Sequence, residues 1–355
     1  MLEYPDLSAK PSEKASWASE GNVFFYPKPI TLESGESLPE LKLMYSTYGT
    51  YNPADNNVIW VCHALTANAN VLEWWKDLFG IGKLYDPEKY FIICVNVPGS
   101  CYGSSSPLDV NPLTGSPYFH HFPKMTIRDI ISTFEILRNH LNINKIHTCI
   151  GGSLGGQQAL EWAIINPKLI QNLVLLATNA RTSPWGIALN ETQRMAIAND
   201  PTWVEYIAEA GINGMKVARA IALLSYRSYT TYNETQEDPI DAFNEYRAIT
   251  YQKYQAEKFA TRFNAYAYWA LTYILDSHNV GRKRGSVHAA LQLIQSKTLI
   301  IGIESDLLFP VDEQKYLAEN IKNATIATIK SIYGHDGFLV ESEKIDAIIR
   351  NFYNS

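Results

Sequence analysis

Five short stretches of this chain are almost unbroken runs of apolar residues: NNVIWVCHA (Asn56–Ala64), YFIICVNV (Tyr90–Val97), IHTCIGG (Ile146–Gly152), LVLLAT (Leu173–Thr178) and TLIIGI (Thr298–Ile303). A strand with one face in water alternates apolar and polar residues, whereas a strand covered on both faces has no reason to. Segments of helical period lie between the runs, such as Thr126–Leu141, which places Ile127, Ile130, Ile131, Phe134, Leu137 and Leu141 on one face. Strands alternating with helices predict an α/β fold, a mostly parallel sheet flanked by helices on both faces. Val23–Leu32, Leu41–Tyr48 and Ala324–Ile332 read as further strands.

One interval breaks the alternation. About 120 residues separate LVLLAT from TLIIGI, far more than one crossover helix needs. They contain helical stretches, Asn213–Leu224 and Ala256–Leu275 among them, and no clear strand. We read 182–294 as a helical cap inserted into a core made of 21–181 and 295–355, with 1–20 as a loose leader. The alternative is a long but ordinary α/β connection.

Composition narrows the function classes. The chain is 46% hydrophobic and 19% charged, with a net charge of -6, which offers no general electrostatic reason to bind nucleic acid or an anionic membrane. No apolar run approaches the roughly 18 residues of a membrane span, and the polar first 21 residues lack the apolar segment of a secretory signal. Of the four cysteines, Cys62, Cys94 and Cys149 sit inside apolar runs and Cys101 does not, without CxxC spacing. Reduced thiols in a cytoplasmic enzyme are the expectation. No metal-ligand cluster is visible, so no metal is expected.

The chemistry is carried by IHTCIGGSLGGQQALEWA, residues 146–163. Gly151-Gly152-Ser153-Leu154-Gly155 fits G-x-S-x-G, with an apolar strand before it and a helical pattern after it. That context makes Ser153 a nucleophile on a tight strand-to-helix turn, with unpaired N–H groups at the helix start to meet a developing negative charge. On this fold the partners follow in the order acid, then histidine. Asp306 lies in ESDLLFP, just beyond the TLIIGI strand, and His335 lies in GHDG, beyond the last strand-like stretch. Glu304 is the rival acid. The other seven histidines read as structural, with His63, at the end of a buried strand, supporting the oxyanion loop.

Several stretches together resemble the homoserine O-acetyltransferase family: CHALT (62–66), NVPGSCYGS (96–104), Phe122-Pro123 with TIRD (126–129), the elbow itself, NETQR (190–194), HNVGR (278–282), SDLLFP (305–310) and GHDGFL (334–339). The resemblance covers nearly the whole chain after about residue 25. It implies transfer of an acetyl group from acetyl-CoA, a co-substrate rather than a permanently bound cofactor, to the hydroxyl of L-homoserine in methionine biosynthesis. It also implies the triad Ser153, Asp306 and His335, with the backbone N–H groups of Leu65 and Leu154 as oxyanion donors. Arg227 matches the arginine that holds the acceptor's carboxylate, and Asp336 the acid that holds its ammonium. The chain departs from the family in Ala67-Asn68-Ala69 after CHALT, in Leu154 where methionine is frequent, and in Glu234 where the family has a tyrosine assisting the arginine; Tyr232 is the substitute.

The family is dimeric, and a homodimer through the cap is expected. The cap carries Tyr229, Tyr232, Tyr251, Tyr254, Tyr266, Tyr268 and Trp269. Alternatives on the same scaffold are a succinyl donor, a serine acceptor, and an esterase or thioesterase in which water takes the acyl group.

Overall fold

The computed structural model describes residues 18–244 and 246–355. In chain order its strands are β1 (Ala18–Tyr26), β2 (Ile30–Thr31), β3 (Ser37–Leu38), β4 (Leu41–Tyr48), β5 (Val58–Cys62), β6 (Phe91–Val95), β7 (Ile146–Gly152), β8 (Ile170–Leu176), β9 (Lys297–Ile303) and β10 (Ala324–Ile329). Eight of them make one sheet in the order β1-β4-β6-β5-β7-β8-β9-β10, and β2 and β3 pair separately. All pairings from β6 to β10 are parallel; β1 and β4 run antiparallel at one edge. Every residue of β5 is buried, and so are the last five of β7 and of β8, as expected of strands covered on both faces.

Chain order leaves β5 for β6 on one side and returns to β7 on the other. This reversal opens a crevice between the carboxyl ends of β5 and β7, where ligands bind in open α/β sheets. The short α1 (Val71–Trp74) follows β5, α2 (Ile127–His140) precedes β7 and α3 (Leu154–Ile165) follows it. A capping box starts α2: the Thr126 side chain accepts from the Asp129 N–H while Asp129 Oδ2 accepts from the Thr126 N–H.

The interval 182–294 contains α4 (Pro184–Ala198), α5 (Ile212–Tyr226), α6 (Tyr229–Gln236), α7 (Arg247–Ala260), α8 (Ala265–Asp276) and α9 (Val287–Leu291), with no named strand among its described residues. The chain then returns through β9, α10 (Val311–Asn320), β10, α11 (Gly337–Val340) and α12 (Ser342–Asn354).

Three boundaries differ from the sequence reading. The strand expected over Val23–Leu32 is interrupted between β1 and β2, where Pro27 and Pro29 supply no N–H to a ladder. The helix expected over Ala256–Leu275 is two helices, because Asn264 caps α8 by accepting from the Ala267 N–H at 2.8 Å. The leader expected over 1–20 lies outside the described residues except for Ala18–Glu20, which belong to β1.

Three family stretches prove to be fasteners between elements. Arg128 of TIRD bridges Glu33 (2.8 Å) and Glu161 of α3 (2.8 Å), and Arg282 of HNVGR pairs with Glu33 at 2.7 Å. Arg194 and Asn190 of NETQR both hold Asp276 at the end of α8, at 2.7 and 2.6 Å. No helix among the described residues is long and apolar enough to cross a membrane.

Candidate active site

The elbow is built from close backbone contact. Ser153 has φ 57° and ψ −126°, a strained conformation for a residue with a side chain, between the end of β7 and the first turn of α3. Its N–H donates to the Leu176 carbonyl at 3.0 Å, and its own carbonyl accepts from Thr178 Oγ1 at 2.9 Å, so both neighbouring peptides are held. A β-carbon on Gly155 would lie 2.0 Å from the Cys62 carbonyl oxygen, and one on Gly151 would lie 2.3 Å from the Gly155 backbone. Only glycine permits both approaches.

Ser153 and His335 line one cavity of about 150 Å³. His335 Nδ1 is 2.7 Å from Asp306 Oδ2, with both side chains buried. Asp306 is itself held: its Oδ1 accepts from the N–H groups of Leu308 and Phe309 at 2.8 and 2.9 Å. The loops carrying the two residues are joined by Ser305, whose Oγ donates to the Ser331 carbonyl and accepts from the Gly334 N–H. Rings of Phe309 and Phe338 flank the imidazole at 5.2 and 5.3 Å. Glu304, the rival acid, is exposed. An imidazole bonded to a carboxylate through Nδ1 leaves Nε2 to exchange protons with a nucleophile, the arrangement of a hydrolase-type triad.

Leu65 lines the same cavity, and Leu154, the first residue of α3, is buried next to Ser153. Neither N–H has a backbone acceptor among the described residues, and the Leu154 N–H belongs to the helix start, where no intrahelical partner exists. His63 secures the loop that carries Leu65. Its Nε2 accepts from the Val97 N–H at 2.9 Å, which fixes the proton on Nδ1, and Nδ1–H donates to the Ala64 carbonyl at 2.8 Å. Burial pushes this imidazole down to about 4, so it is neutral. His278 is also buried and pushed down to about 4, with Nε2–H donating to the Asn179 carbonyl at 2.9 Å. His147 and His288 bond Thr148 and Asn320 through Nδ1, while His120 and His121 sit among Trp203, Tyr206 and Tyr266.

In the same cavity Arg227 ends α5 and Asp336 follows His335, and their Nε and Oδ2 are 3.6 Å apart. The approach is tight because the backbone of Arg227–Ser228 packs on Gly334, which has φ 63° and where a β-carbon would be 2.9 Å from the Arg227 carbonyl carbon. Burial raises the Asp336 carboxyl above its ordinary range, and the Arg227 charge opposes that rise. The aromatic ring under the guanidinium is that of Tyr251, 4.7 Å away, while Tyr232 stands edge-on to Tyr251 at 6.1 Å. Both phenol oxygens are buried without a hydrogen-bond partner among the described residues. Burial pushes Tyr251 up to about 12, so it is a hydrogen-bond donor at neutral pH. Sequence reasoning singled out Tyr232 and counted Tyr251 only among the cap aromatics. It also missed Arg219, Lys258 and Arg262, which line the cavity from α5, α7 and the α7–α8 junction.

Comparison with known proteins adds the lineage. The chain is 47% identical over 331 residues to the homoserine O-acetyltransferase of Cyclobacterium marinum, covering 93% of this chain and 94% of that one. The chain belongs to the homoserine O-acetyltransferase family. Residues 57–342 match the family model for the alpha/beta hydrolase fold. Among solved structures, the homoserine O-acetyltransferase of Bacillus anthracis superposes with a TM-score of 0.90 at 22% identity, over 96% of this chain and 99% of that one. The acetyl esterase MekB superposes with a TM-score of 0.84 at 24% identity, over 95% and 97% of the two chains. At those identities the likeness concerns fold alone, and members of the fold run different reactions.

The buried neutral histidines make a stability prediction. An unfolded histidine titrates near 6.5, so between pH ~6.5 and ~4 the unfolded chain binds a proton that folded His278 refuses. The His278 contribution is therefore complete above that window and lost as pH falls through it, on the order of 3 kcal/mol by pH ~4. In His278→Gln, whose amide can take the place of Nε2–H, urea unfolding should show a correspondingly shallower loss on acidification than wild type. Parallel curves for the two proteins contradict this account.

Proposed function

We propose that this enzyme moves an acetyl group from acetyl-CoA to the hydroxyl of L-homoserine by way of an acetyl-Ser153 intermediate. The observation that carries the reading is the facing pair Arg227 and Asp336 in the cavity that also contains Ser153 and His335. A guanidinium and a carboxylate side by side complement the carboxylate and ammonium of an α-amino acid. An esterase whose acceptor is water has no use for such a pair.

In the first half-reaction Ser153 Oγ attacks the thioester carbonyl and His335 Nε2 takes its proton, with Asp306 stabilising the imidazolium. The oxyanion accepts hydrogen bonds from the Leu65 and Leu154 N–H groups, each worth about 3–4 kcal/mol in comparable sites. Collapse expels the CoA thiolate, which takes the proton from His335. In the second half-reaction the homoserine hydroxyl gives its proton to His335 and attacks the acetyl-serine. Collapse of that adduct returns the proton to Ser153 and releases O-acetylhomoserine. Arg227 holds the acceptor's carboxylate, Asp336 its ammonium, and Tyr232 beside Tyr251 closes the carboxylate end. Arg219 and Lys258 supply positive charge on the wall suited to the donor's phosphates.

Residues 182–294 act as a cap over the crevice. The four cysteines are free thiols, in keeping with a cytoplasmic setting. The protein is a homodimer through the cap: Val217, Leu224, Tyr229, Ile240, Phe243 and Tyr254 are exposed there, whereas Tyr266 and Tyr268 are core.

Three outcomes test these statements. Incubation with acetyl-CoA alone should add one acetyl mass to the intact protein, and Ser153→Ala should abolish it; an adduct that survives in the variant moves the nucleophile elsewhere. Arg227→Lys should fail almost as badly as Arg227→Ala in transfer to homoserine, because an ammonium cannot form the two parallel hydrogen bonds. The loss in kcat/KM should be about thirty-fold to several thousand-fold, with acylation of Ser153 much less affected. Product masses with acetyl- and succinyl-CoA against homoserine, serine and water complete that assay, and free acetate as the sole product replaces transfer with hydrolysis. Light scattering at micromolar concentration should give twice the chain mass, and Leu224→Glu with Phe243→Glu should lower it; a monomeric wild type removes the dimer.

A further inference from the structure

The loop after β5 is tied down from the core at several points. The His63 carbonyl accepts from Gln158 Nε2 at 3.1 Å, the Asn68 carbonyl from Trp74 Nε1 at 2.9 Å, and the Ala69 N–H donates to Asn96 Oδ1 at 2.7 Å. One further tie comes from the helical insertion. Arg262, placed by the break between α7 and α8, donates from Nη1 to the Thr66 carbonyl at 2.9 Å and to the hydroxyl of Tyr102.

The Thr66 carbonyl belongs to a peptide plane whose opposite edge is the Ala67 N–H, and that N–H donates to the Ala64 carbonyl at 3.1 Å. The Ala64 carbonyl in turn shares its plane with the Leu65 N–H, and in a trans peptide the two point in opposite directions. A grip on Thr66 therefore sets one plane, that plane adds the Ala67 N–H to the His63 Nδ1–H on the Ala64 carbonyl, and the doubly held carbonyl aims the Leu65 N–H. We propose that Arg262 is a positioning residue of the oxyanion loop beside His63, orienting the Leu65 N–H through two successive peptide planes. The proposal rests on the reading of Leu65 as an oxyanion donor. Tyr102 holds the guanidinium in place from the core side, and the Phe259 ring lies 5.1 Å from its central carbon.

The test separates this role from a contact with donor phosphates by using p-nitrophenyl acetate, an acyl donor with none. Arg262→Met keeps the stem and removes the donors. Its single-turnover acylation of Ser153 should slow about 10- to 100-fold with p-nitrophenyl acetate and with acetyl-CoA alike, since misaiming one donor forfeits part of what deleting it would. The KM for p-nitrophenyl acetate and the thermal midpoint should stay at wild-type values. Arg262→Lys should recover part of the rate, because one ammonium N–H can still reach Thr66, and Tyr102→Phe should lose several-fold. Wild-type rates with p-nitrophenyl acetate in Arg262→Met, with only the KM for acetyl-CoA raised, overturn the proposal in favour of phosphate binding. If Arg262→Met does not fold, the same two rates in Arg262→Lys and Tyr102→Phe decide, and no slowing in either overturns it. Should wild-type protein form no acetyl-Ser153 with either donor, the reading of the site itself fails, which this comparison keeps distinct.

Discussion

Where β5 ends and α3 begins, the Cα of Gly155 lies so close to the Cys62 carbonyl that a β-carbon would come within 2.0 Å of the oxygen. That contact pulls the elbow helix onto the end of the neighbouring strand. It brings the first N–H of α3 and the loop after β5 to opposite sides of one small space, with Ser153 between them. The pairing of Cys62 with Gly151 continues the two strands in register up to the same point. Any side chain at Gly155 would force the two segments apart, and the oxyanion site proposed between them would lose much of its effect if it opened by about an ångström.

Two groups of charged residues around this junction have different duties. His335, Arg227 and Asp336 line the cavity, with Asp306 buried and 2.7 Å from His335 Nδ1, and with Arg227 Nε 3.6 Å from Asp336 Oδ2. Glu33, Arg128, Glu161, Arg282 and Arg284 lie away from the cavity and form a network with separations of 2.6 to 2.8 Å. Glu161 is its one buried member, and its two arginine partners compensate that charge, so the network acts as a lock between α2, α3, the β2–β3 turn and the segment after α8. A triad on this scaffold serves esters and thioesters equally. In the proposed reaction, selection of an amino acid over water falls to the pair at the end of α5 and the start of α11, outside the triad.

Much of the fold was legible because it follows from rules that act over a few residues. Runs apolar on both faces announced buried strands, and G-x-S-x-G between such a run and a helical period announced the elbow. The order of Ser153, Asp306 and His335 followed from their places beyond successive strand ends. Proline at 27 and 29 and the capping habit of Asn264 were equally local, and they moved the boundaries that longer-range patterns had blurred. Arg227 and Asp336 were reached through the family resemblance, since an arginine in a tyrosine-rich helical segment has no local mark of function.

The remainder depends on which distant segments meet. Tyr251 sits under Arg227 because α7 packs beside the end of α5, and nothing in the 23 residues between them specifies that ring over Tyr232. Arg262 meets Thr66 across 196 positions, through a helix break that aims a side chain at a single carbonyl. Propensity, period and spacing describe how each segment bends and which face it buries. They carry no information about a side chain reaching another segment's backbone, which is settled only when packing brings the two within hydrogen-bond reach.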